Sequence, residues 1–112
     1  MRVYLPTTLT GLAGLREQGM LPESAERYAV AGEDEVEEYA ALVAAAADSA
    51  ALLAGPGRRV VVVAEVADPD GAVHLADVVA VHADPRDRPA DADPDEDLGW
   101  YATQEIDALL TG

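Results

Sequence analysis

The chain has 112 residues, a net charge of −15, half of its residues apolar and no cysteine. That length fits one small domain with one modest core, and that apolar share excludes disorder throughout. The charge opposes a nucleic-acid partner, while the lack of Lys and Cys removes Schiff-base, Walker-lysine, thiol and iron–sulfur chemistry, so no cofactor is expected.

The opening "RVYLP" alternates polar and apolar residues and predicts a short strand that Pro6 stops. Thr7 or Thr8 can cap the helix that follows, in which Leu9, Leu12 and Leu15 share one side and Gly19 ends the turn. Gly11 and Gly14 weaken that helix and point to a close backbone approach. After a connector, residues 33–54 form the strongest predicted helix. Acids occupy its first turn, its apolar stripe is Val36, Tyr39, Ala40, Val43, Ala47, Ala50 and Leu53, and Gly55 and Pro56 terminate it.

Residues 58–67 and 73–83 read as two strands, and "DPDG" (residues 68–71) as the tight turn of the hairpin between them. Residues 84–97 are rich in Pro and Asp and are expected to be mobile. Residues 98–102 can add an edge strand, and Thr103 can cap a final helix with Ile106, Leu109 and Leu110 on one side.

The order is β-α-α-β-β-(β)-α over a single domain, residues 1–112. It predicts an α+β fold in which a sheet of three or four strands carries its helices on one face, with a ferredoxin-like arrangement as the nearest analogy. "MRVYLPTTLTGLAGL", "VEEYAALVAAAADSAALLA", "RRVVVVAEV" and "WYATQEIDALL" together resemble a small family of uncharacterised proteins from high-GC actinobacteria. The resemblance spans most of the chain and implies an intact bacterial domain, but it carries no catalytic or binding residues. No apolar signal run opens the chain, and the long helical segment carries Asp48. A soluble, cytoplasmic protein with no membrane contact is therefore expected.

The acidic run fails as a calcium loop. Frames starting at Asp91 or Asp93 place Glu96 or Leu98 where Gly is needed, and Ala102 or Gln104 where the terminal acid is needed. No metal site is expected there. A three-residue hairpin loop would place Val62 opposite Val78. Tyr4, Arg59, Glu65 and Asp77 would then share the sheet face left open by the helices, with Glu65 and Asp77 as diagonal neighbours. Such a carboxylate pair could do acid–base work, although a solvated, charged face is the commoner outcome. His74 and His82 would sit at opposite ends of one strand, too far apart to share a metal ion. Trp100 is expected to dock the C-terminal segment onto the core, with partner binding as its other use.

The leading expectation is a non-enzymatic protein–protein interaction module whose partner is another protein or a second copy. The alternative is a small enzyme or ligand binder. Tyr4, Arg59, Glu65, Asp77 and Trp100 are the candidate ligand or interaction face.

Overall fold

A computed structural model describes residues 1–111. The strands are β1 (Arg2–Thr7), β2 (Met20–Leu21), β3 (Tyr28–Val30), β4 (Val60–Glu65), β5 (Val73–His74), β6 (Val78–Ala83) and β7 (Gly99–Tyr101). The helices are α1 (Leu9–Gln18), α2 (Glu35–Leu53) and α3 (Ile106–Thr111). Five strands form one sheet in the order β3-β1-β4-β6-β7, each antiparallel to its neighbours, and β2 pairs with β5 in a small second sheet. The fold is α+β. The strands joined through α1 and α2, β1 and β4, are direct antiparallel neighbours. That rules out the split β-α-β arrangement of the ferredoxin-like analogy.

The helices do not share one face of the sheet. On one side α1 and α3 bring Leu12, Leu15, Ile106 and Leu109 against Val3, Leu5, Val60, Val62 and Val81. On the other side α2 brings Ala41, Ala45 and Ala46 against Tyr4, Val61, Val63 and Ala80. The four consecutive valines of β4 are all buried because their alternating side chains meet a covered face in both directions. Both faces of the large sheet carry helices over its central strands.

The inner side of α2 is also different from the predicted stripe. Its buried residues are Ala41, Ala45, Ala46 and Ser49, whereas Val36, Tyr39 and Val43 are exposed. Small residues let the helix axis approach the valine surface closely, and the larger side chains are turned outward. Ser49 lies fully buried at the contact. Its hydroxyl donates to Thr7 O at 2.6 Å and accepts from Val60 N–H at 2.8 Å, tying α2 to the ends of β1 and β4 at once.

Local signals place several ends correctly. Thr8 caps α1 by accepting from Gly11 N–H, and Gly19 closes it in the left-handed region. A Cβ at Gly11 would lie 1.9 Å from Thr7 Oγ1, which accounts for the glycine at that turn. Asp34 caps α2 by accepting from Val36 N–H. The left-handed residue after α2 is Ala54, at φ 53°, and not the neighbouring glycine. Thr103 does not cap the last helix. Its hydroxyl donates to Val78 O, and Ala102 precedes the 3-10 turn of Thr103–Glu105 that leads into α3.

The β4–β6 hairpin is wider than expected. Asp68 does form the predicted turn, accepting from Asp70 N–H with its side chain and from Gly71 N–H with its carbonyl. The chain then leaves the main sheet to pair β5 with β2, makes a 3-10 turn over Leu75–Asp77, and only then enters β6. Val62 consequently pairs with Val81 rather than Val78, and a bulge between Val63 and Ala64 shifts the register once more. His74 and His82 thus belong to different strands.

Trp100 does not dock the C-terminal segment: its residue is 61% exposed. In β7 successive side chains point to opposite faces, and Tyr101 takes the side packed against the α1–α3 core. Tyr101→Ala should cost about 2 kcal/mol or more in urea unfolding followed by circular dichroism. Trp100→Ala should stay within about 0.5 kcal/mol of wild type, as for other exposed positions. Ala54→Gly should raise stability by about 1 kcal/mol in the same assay, by relieving the left-handed alanine.

Candidate functional site

Arg59 opens β4 beside the end of β6, and both its side chain and that of Asp84 are nearly inaccessible. Arg59 Nε donates to Asp84 Oδ2 at 2.9 Å, Nη2 donates to Oδ1 at 2.8 Å, and the Arg59 backbone N–H adds a third bond to Oδ2. The same guanidinium reaches into the acidic excursion, where Nη1 donates to Pro94 O and Nη2 to Glu96 O. Four of the five donors of a guanidinium are thereby used. Arg58 Nε donates to Asp84 O, and Arg88 places Nη1 3.6 Å from Asp84 Oδ2. Arg88 also exchanges both backbone hydrogen bonds with Gly57 and pairs with Glu96. The excursion is in this way fastened along the C-terminal half of α2.

Burial pushes the Asp84 carboxyl up, but the Arg59 side-chain and backbone hydrogen bonds, with the charges of Arg59 and Arg88, hold it below the ordinary carboxylate value. The pair is structural. Every strong contact it makes is internal, and both side chains are almost wholly shielded from solvent.

What the strapped excursion encloses is a cleft of about 460 Å³ between the outer side of α2 and the β6–β7 edge of the sheet. Tyr39, Leu42 and Val43 of α2 form one wall, Trp100 of β7 the other, and His82 of β6 lies in between. His82 and Trp100 are paired neighbours across the two strands. The rim is Asp95, Glu96 and Asp97, with Leu98 beneath it. Tyr39 is 58% exposed and Val43 45%, so both walls carry apolar surface in contact with solvent. Burial lowers the His82 pKa, which favours the neutral imidazole.

The five candidate residues are dispersed. Tyr4 is buried under α2. Arg59 is committed to Asp84, although its edge contributes to the cleft. Glu65 is exposed and pairs with Arg2, whose other arm reaches Glu38 of α2. Asp77 lies in the 3-10 turn outside β6 and does not join Glu65 on a common strand pair. Of the five, only Arg59 and Trp100 line the cleft. Sequence reading omitted Tyr39, Val43 and His82 from the site. The spacing of the two α2 residues places them on the expected packing stripe, and His82 meets Trp100 only through a strand pairing that spans the long excursion.

The architecture is a small antiparallel sheet clothed on both faces, with one aromatic-walled, acid-rimmed cleft beside its long helix. A model of the DUF6912 family of unknown function matches residues 1–110, and the chain belongs to that family. No curated protein and no solved structure matches it.

The Asp84 pair yields a prediction with a definite sign. The folded-state pKa is depressed, so the stabilisation is fully present above about pH 4, the unfolded carboxylate value, and is lost as pH falls through the lower folded value. At neutral pH Asp84→Asn should cost about 3–5 kcal/mol, because it leaves a guanidinium buried without its partner. Denaturant titrations from pH 7 downward should show the wild type losing its advantage over the variant in the acid range.

Proposed function

We propose that the protein is a non-enzymatic interaction module that binds a protein partner through the cleft between α2 and β7, in the cytoplasm of a high-GC actinobacterium. The exposure of Trp100 and Tyr39 around the same cleft carries this reading. Aromatics are scarce in this chain, at 4% of residues, and its core is built from Val, Leu and Ala. Two of the five aromatic residues nevertheless stand largely in solvent around one cavity. Large rings in a cleft with a polar rim are what binding surfaces use as anchors. Val36, exposed on α2 next to the cleft residues Tyr39 and Val43, extends the apolar strip beyond the cleft itself.

The enzymatic alternative finds less support. Glu65 and Asp77 do not line the cleft. His82 stands there with no Ser, Thr or Cys among the lining residues. In this reading the excursion of residues 84–97 supplies the rim, and the Arg59 contacts to Pro94 O and Glu96 O hold that rim in place.

Affinity purification of the tagged protein from its native host, in wild-type, Trp100→Ala and Tyr39→Ala forms, tests the proposal. A specific partner retained by the wild type and lost from both variants, with unchanged melting temperatures, is the expected outcome. A partner kept equally by all three forms would remove the cleft from the interface.

A further inference from the structure

Resting on that reading, we infer that the cleft takes an arginine side chain from an apolar-flanked, basic segment of a partner protein. The lining has two parts that ask for different halves of one side chain. Trp100 and Tyr39 offer exposed aromatic rings, and Leu42, Val43 and Leu98 add apolar lining. Asp95 and Asp97 are exposed carboxylates on the rim, and Glu96 between them is already paired with Arg88. A guanidinium is planar, stacks on aromatic faces and pairs with carboxylates, and its three-carbon stem lies well along apolar surface.

Nothing in the lining opposes such a cation. The one guanidinium there, Arg59, is neutralised by Asp84 through a bidentate contact. His82 is biased toward its neutral form by burial. An anionic or purely aliphatic occupant would meet the carboxylate rim unfavourably or leave it unused. A second copy of this chain brings the same rim and a net charge of −15 against its twin, so self-docking at this cleft sets like charges together. Complementarity of charge therefore selects a basic partner over self-association.

The probe is an acetylated, amidated peptide Leu-Arg-Leu-Arg-Leu, titrated calorimetrically into the intact protein beside the same peptide with citrulline for arginine. Citrulline keeps the shape and removes the charge. A single saturable site is expected for the arginine peptide, with about tenfold weaker binding of the citrulline form. Trp100→Leu, benign at an exposed position, should weaken the arginine peptide about fivefold or more. The pair Asp95→Asn and Asp97→Asn should do the same. The pair Glu17→Gln and Glu23→Gln removes equal charge elsewhere and should leave affinity within about twofold. Equal affinity for the two peptides, equal loss from both charge-removal pairs, or no saturable site would each overturn the inference. So would a dimer at working concentrations that Trp100→Leu dissolves. The host purification separates these failures from failure of the underlying reading. A partner that depends on Trp100 keeps the interaction cleft while the arginine claim falls, and a partner indifferent to Trp100 removes both.

Discussion

The bidentate contact between Arg59 and Asp84 fixes three pieces of chain at once: the entry of β4, the exit of β6 and the acidic excursion that follows. Burying two charges is costly, and the cost is offset only when geometry is good and the remaining donors find partners. Here the spare donors of the guanidinium go to Pro94 O and Glu96 O, so satisfying the ion pair and positioning the cleft rim are one requirement. A lysine could not serve both ends, since a single ammonium has no planar fork to engage a carboxylate side-on. The rim of an otherwise extended, water-loving loop is thus specified from inside the domain.

The second determinant is how α2 distributes its residues. The alanines that face the sheet bury little area each, yet they allow the helix to sit close on Val61 and Val63. Ser49 completes the seam by satisfying backbone groups of both β1 and β4. Holding the helix with small residues and one hydroxyl bridge frees its larger side chains for the opposite side. Tyr39 and Val43 can then face the cleft without weakening the core, because the core does not use them.

Much of this arrangement can be read in the sequence. β1, both long helices, the two central strands, the Thr8 cap and the Gly19 stop all follow from local pattern and turn chemistry. The two-layer expectation fails for a reason visible in retrospect: "VVVV" is a run, not an alternation, and a run signals a strand covered on both sides. β2 and β3 have two or three residues each and form only against distant partners, so no window of sequence announces them, while β5 lies inside the predicted strand 73–83, which the 3-10 turn of Leu75–Asp77 divides. The strand register could not be read either, because the turn at Asp68 begins an excursion through the second sheet instead of closing the hairpin. The site was legible only in part. Trp100 stood out as the lone tryptophan, but which of Trp100 and Tyr101 faces inward depends on the pairing of β7 with β6. The acids at 95–97 read as a solvated run, with nothing to say that a buried arginine holds the carbonyls among them.

The pairing of β1 with β4 makes the central ladder a long-range contact. Arg2 lies opposite Glu65 and Thr7 opposite Val60, so that ladder joins residues more than fifty positions apart. The entropy of closing so long a loop must be spent before any of those contacts returns energy. The β4–β6 ladder closes a much shorter loop, and α2 is long enough to form early turns locally. A small domain whose central ladder is this non-local belongs with the slower-folding topologies.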